Sequence, residues 1–124
     1  MTNGSLMILL VDDEDMILDI SSAMLKRLGY NVLKADSCEL AYRIVEEQQG
    51  TIDLAIFDYG MVGSNGQSVP QDLKQLYPDL KILISSGYDE SGPISDLLKE
   101  IGGCFLQKPF SLTQLKEKIS ASLS

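Results

Sequence analysis

A chain of 124 residues and 13.6 kDa makes a single domain spanning 1–124, large enough to bury about two thirds of its unfolded surface but too small for a second core. Its net charge of -8 and pI near 4.3 argue against direct nucleic-acid binding, which needs a basic face to neutralise phosphates. With no His in the chain, a zinc site or a general base built on His is excluded.

Leu6 to Val11 is an apolar run that stops abruptly at Asp12-Asp13-Glu14-Asp15 and reads as a first strand. From Asp15, the apolar residues Ile17, Ile20, Met24 and Leu28 recur at threes and fours, with Gly29 at the usual closing position of a helix. Val32 to Ala35 is a second short strand. Ser37 caps a helix whose inner face is Leu40, Ala41, Ile44 and Val45, ended by Gly50. Ile52 to Phe57 is the third strand, and it runs into Asp58 and the glycines at 60, 63 and 66, which let the backbone turn tightly beside a ligand. The third helix carries Val69, Leu73 and Leu76; Pro70 is tolerated in its first turn, and Pro78 bars continuation.

Lys81 to Ser85 is the fourth strand, and a polar loop from Ser86 to Pro93 precedes a helix with Ile94, Leu97, Leu98 and Ile101 inside and Gly102-Gly103 at its end. Cys104 to Gln107 is the fifth strand, ending at Lys108-Pro109. Ser111 caps the last helix, whose inner stripe is Leu112, Leu115, Ile119 and Leu123. Cys38 and Cys104 read as small apolar groups rather than a disulfide. No apolar run approaches the roughly eighteen residues of a membrane span, and the N-terminus lacks a targeting pattern, so a cytoplasmic location is expected.

Five strands alternating with five helices imply an α/β domain: a doubly wound five-stranded parallel sheet with helices on both faces. In the flavodoxin-like order 2-1-3-4-5 the site lies beyond the carboxyl ends of the strands, where strand order reverses. Asp12 and Asp13, Asp58, Ser85 and Ser86, and Lys108 then converge. Three carboxylates held a few ångströms apart repel by about 4 kcal/mol per pair at an effective dielectric near 20. Lys108 is one answering cation, and a hard divalent ion such as Mg²⁺ is the natural second. With that charge shielded, Asp58 can act as a nucleophile towards phosphorus, and a Ser86 hydroxyl can hydrogen-bond the phosphoryl group. Each residue also has a plainer reading, as a helix-end acid, a turn serine or a solvated lysine; their joint position at four strand ends favours the site.

Over essentially its whole length the chain resembles the receiver domain of two-component signalling, the response regulator domain. The resemblance rests on Val11-Asp12-Asp13-Glu14, Phe57-Asp58 with Met61 and Gly66, Ser86-Gly87, and Phe105-Leu-Gln-Lys108-Pro109-Phe110. It implies that Asp58 is the phosphoacceptor, that Asp12 and Asp13 position Mg²⁺ with the Gly60 backbone carbonyl as a further ligand, and that Ser86 closes on the phosphoryl group with Lys108 as its counterion. Phe105 takes the aromatic switch position, which follows Ser86 inward, and Lys108-Pro109 matches the family's cis peptide bond. The implied partner is a histidine kinase or phosphotransfer protein, with Mg²⁺-dependent self-phosphorylation from phosphodonors, autodephosphorylation and no separate substrate. The output is expected to be a downstream protein met through the face of the fourth helix, fifth strand and fifth helix. The Ser-Gly-Tyr and Phe-Leu-Gln-Lys-Pro-Phe wording is similar both to stand-alone receivers and to those fused to hybrid sensor kinases.

Three positions depart from the family pattern. Val62 stands where Pro is usual, which implies a looser loop, and Gly60 and Tyr88 flank the site where side chains influence acyl-phosphate hydrolysis. Rival readings are a pseudo-receiver that binds partners without phosphorylation, an aspartyl-nucleophile phosphatase, and an FMN-binding flavodoxin-like domain. The phosphatase would need an acid at position 60, which is Gly. The acidic strand ends would repel the FMN phosphate.

Overall fold

The computed structural model describes residues 6–62 and 69–123; Gly63 and Gly66 of the expected glycine loop lie outside the described residues. The strands are β1 (Met7–Val11), β2 (Asn31–Ala35), β3 (Leu54–Asp58), β4 (Lys81–Ser86) and β5 (Cys104–Gln107). The helices are α1 (Asp15–Arg27), α2 (Cys38–Gln48), α3 (Val69–Leu76), α4 (Pro93–Ile101) and α5 (Leu112–Leu123). All strand pairs are parallel, in the order β2-β1-β3-β4-β5. Strand order therefore reverses between β1 and β3, and Val11 lies beside Phe57 at their carboxyl ends.

Alternation along the strands divides the core in two. Leu9, Val11, Phe57, Ile84 and Phe105 pack with Ala41, Leu73 and Ile94 of α2, α3 and α4. Ile8, Leu10, Ile56 and Leu83 pack with Leu18 and Leu25 of α1 and Leu115 and Ile119 of α5. Burial on both faces is why the strands read as continuous apolar runs rather than as alternating ones.

Several helix ends follow local chemistry. Ser37 Oγ accepts from Leu40 N at 3.1 Å, an N-cap that satisfies one otherwise unpaired amide. Ser111 and Gln114 exchange side-chain and backbone bonds at 2.8 and 3.1 Å, a reciprocal capping box. At the end of α2 the backbone turns left-handed at Gln49, with φ 48°, and the expected Gly50 follows with φ 84°. Of the apolar residues expected in α3, Val69 and Leu73 are buried, while Leu76, its last residue, is 67% exposed. In α1 the buried residues are Leu18, Ser21, Ser22 and Leu25. The row of Ile17, Ile20, Met24 and Leu28 flanks that face, with Ile20 53% exposed.

Candidate functional site

Each of the four expected strand ends brings its polar group to the same edge of the sheet. Asp12 follows β1 directly, and its amide still bonds the Ala35 carbonyl of β2 at 3.1 Å, so the acid is fixed by the sheet although it stands beyond the strand. Its side chain is buried; Oδ1 accepts from Glu14 N at 3.0 Å and Oδ2 from Lys108 Nζ at 3.0 Å. Asp58 is the last residue of β3, level with Ser85 of β4, and Asp58 Oδ1 accepts from Lys108 Nζ at 2.7 Å. Asp13 is exposed at the rim. Carboxylate oxygens of Asp12, Asp13 and Asp58 lie within 4.8 Å of one another.

Burial pulls the Lys108 ammonium down, but its hydrogen bonds to Asp58 and Asp12 and their negative charges outweigh that, so its pKa is raised above the usual lysine value. The lysine is thus held charged between two acids. Its peptide bond to Pro109 is cis, and its amide donates to the Ser86 carbonyl at 2.7 Å, joining the ends of β4 and β5. Ser86 is buried, and its Oγ accepts from Tyr88 N at 3.0 Å; Tyr88 itself is 77% exposed.

The chain leaves Asp58 through a short 3-10 turn, Tyr59–Met61. Gly60 sits beside the acid so closely that a Cβ there would come within 2.9 Å of Asp58 Oδ2. A missing proline at position 62 was expected to loosen this loop, yet Val62 donates to the Tyr59 carbonyl at 3.0 Å, and the buried Cys38 thiol meets the Met61 carbonyl at 3.5 Å. Val62 is also packed against the core. Cys38 and Cys104 are both free thiols. Phe105, expected to move inward, is already buried at 6% exposure among Ile84, Ile94 and their neighbours.

Two features of this edge were not expected from the sequence. Ser21 of α1 is buried behind the acids. An apolar groove lies beside the site, lined by Ile17, Ile20 and Met24 of α1 and by Pro109 and Phe110, with Gly87 and Lys108 at its inner end. The uncovered row on α1 was visible as periodicity, but periodicity does not tell a groove wall from a core face.

Three carboxylates with hard oxygen donors suit a divalent cation, and a lysine between them suits an anion that arrives with it. Fold and site therefore define an α/β domain with a lysine-bridged cluster of acids at its topological switch point, suited to a divalent cation. The chain belongs to the family described as the response regulator receiver domain, which it matches over residues 8–120.

Its relatives include the sensor kinase CckA of Brucella abortus, 35% identical over 98% of this chain and 13% of that protein, and the transcriptional regulatory protein ZraR of Escherichia coli, 31% identical over 100% and 28%. The chain thus spans less than a third of the length of either relative. Among solved structures it is similar to a CheY-like receiver from Methanospirillum hungatei, with a TM-score of 0.84, 28% identity and coverage of 95% and 93% of the two chains. It is also similar to the receiver of the hybrid histidine kinase CckA, with a TM-score of 0.72, 33% identity and coverage of 95% and 99%. No helix among the described residues is long and apolar enough to cross a membrane.

Proposed function

We propose that this chain is a phosphorylation-dependent signalling switch with Asp58 as phosphoacceptor. The observation that carries the reading is the single ammonium of Lys108 bonded to both Asp58 Oδ1 and Asp12 Oδ2. That arrangement leaves a counterion waiting where a phosphoryl group on Asp58 would carry its charge.

Asp12, Asp13 and Asp58, with the carbonyl of Gly60, are the residues that would hold Mg²⁺. When bound, the ion supplies charge neutralisation at the transferring phosphoryl oxygens. The carboxylate of Asp58 attacks phosphorus; a P–O bond forms while the bond from phosphorus to the donor nitrogen breaks and its electron pair stays on the imidazole. Lys108 then pairs with a phosphoryl oxygen, and the Ser86 hydroxyl can donate to another. Water later attacks the phosphorus and restores the carboxylate.

The donor in this reading is a histidine kinase or phosphotransfer protein, which goes with a cytoplasmic setting. The apolar groove beside Lys108 supports it: a donor helix laid along Ile17, Ile20 and Met24 would bring a phosphohistidine to the mouth of the site. Output follows from population shift between two arrangements of the face formed by α4, β5 and α5. Because Phe105 is already inside, the Ser86 to Tyr88 bond is the better candidate for carrying the change outward.

The test is intact mass after incubation with Mg²⁺ and acetyl phosphate, beside Asp58→Asn. One phosphoryl adduct in the native chain only, dependent on Mg²⁺, is expected. No adduct, with acetyl phosphate and a panel of kinases alike, overturns the reading and leaves a constitutive binding module.

A further inference from the structure

Behind the Lys108 to Asp58 pair, on the α1 and α5 side of the sheet, lies a void of about 10 Å³. Asp12, Ser21, Asp58, Ser85 and Lys108 all line it, and the leucines at 10, 25 and 115 are among its apolar walls. A space of this size takes about one water, and a water settles in such a place when two to four polar groups surround it, whereas purely apolar voids stay dry. Here five polar residues border the space.

Two further facts point the same way. Ser21 and Ser85 are 6% and 3% exposed, and a hydroxyl removed from bulk water is costly unless it is hydrogen-bonded. Lys108 carries three N–H donors; Asp12 and Asp58 take one each, so a third is left for another acceptor.

We propose that this void is a binding site for a single structural water, which accepts from Lys108 Nζ and bonds the hydroxyls of Ser21 and Ser85. The water completes the hydrogen bonding of an ammonium already paired with two carboxylates. It links α1 and β4 to the lysine without touching the outer surface where phosphoryl groups and cations arrive.

The test uses the unmodified full chain, so its outcome does not depend on whether Asp58 accepts a phosphoryl group. Atomic-resolution diffraction is expected to show one isolated water peak at about 2.7–3.2 Å from Ser21 Oγ, Ser85 Oγ and Lys108 Nζ. In solution, a water with a long residence time should give a cross-peak to nearby protons in an NMR exchange experiment. Ser85→Val, which fills the space with methyl groups, should lose both signals, and Ser21→Val serves if that variant does not fold. An empty void in the native chain, or a peak that persists unchanged in Ser85→Val, overturns the proposal.

Discussion

Lys108 Nζ stands 2.7 Å from Asp58 Oδ1 and 3.0 Å from Asp12 Oδ2, so one ammonium ties the ends of β1, β3 and β5 together. Their side chains keep only 20%, 15% and 5% of their surface exposed. Losing one member of such a group leaves the others uncompensated. Lys108→Met should lower stability by about 1–3 kcal/mol in Mg²⁺-free buffer. Urea unfolding with and without millimolar Mg²⁺ checks this, since a cation that binds the native acids should restore more stability to the variant than to the native chain. An equal response of both proteins to Mg²⁺ would falsify the counterion role.

The same contacts set a pH dependence. Because the folded-state pKa of Lys108 is raised above its unfolded value, its contribution is fully present below the unfolded lysine pKa, near 10.4, and is lost as pH rises through the folded value. Unfolding free energy followed above about pH 10 should therefore fall more steeply for the native chain than for Lys108→Met. Parallel curves would mean that the lysine is not held in this way.

The bond from Tyr88 N to Ser86 Oγ ties a buried hydroxyl to an exposed segment. Ser86→Ala removes the acceptor and should cost about 1 kcal/mol, with faster hydrogen exchange at the Tyr88 amide. Binding of a phosphoryl mimic should alter exchange between Gly87 and Gly92 in the native chain more than in Ser86→Ala. Identical responses would separate Ser86 from the switch.

At the groove, Ile20 is exposed and makes no core contribution, so Ile20→Glu should leave stability within about 0.5 kcal/mol of native. Transfer from a cognate kinase should fall at least tenfold, while labelling by acetyl phosphate stays unchanged. If both routes fall together, the defect lies in the site and the groove is not the docking face.

Tyr42 of α2 donates to Asp72 Oδ2 of α3 at 2.5 Å, and burial together with that bond raises the Tyr42 pKa. Tyr42→Phe keeps the ring in the core and deletes the brace, at a cost of about 1 kcal/mol. Thermal unfolding of the two proteins measures it; an unchanged midpoint would mean the bond is offset by solvation.

How much of this was legible beforehand differs between elements. In α4 the residues Ile94, Leu97, Leu98 and Ile101 form one clean stripe, and all four are buried. In α1 the apolar residues form two adjacent rows, and the face against the sheet is completed by Ser21 and Ser22, whose hydroxyls hide it from a hydrophobic pattern. The strand ends were legible because an acid or a serine stops each apolar run abruptly. What order along the chain did not contain is side-chain direction: that Lys108 reaches both acids, that Phe105 is already inside, and that Val62 is held by backbone bonds rather than by a ring.

The contact between Lys108 and Asp12 joins residues 96 positions apart. Local structure cannot make it; the ends of β1, β3 and β5 meet only after the sheet has closed across nearly the whole chain. A nascent or partly unfolded chain would therefore carry Asp58 without its counterion and without the other acids of the cluster. On the proposed function, competence to receive a phosphoryl group would thus double as a report that the domain has finished folding, and a misfolded copy would not be labelled.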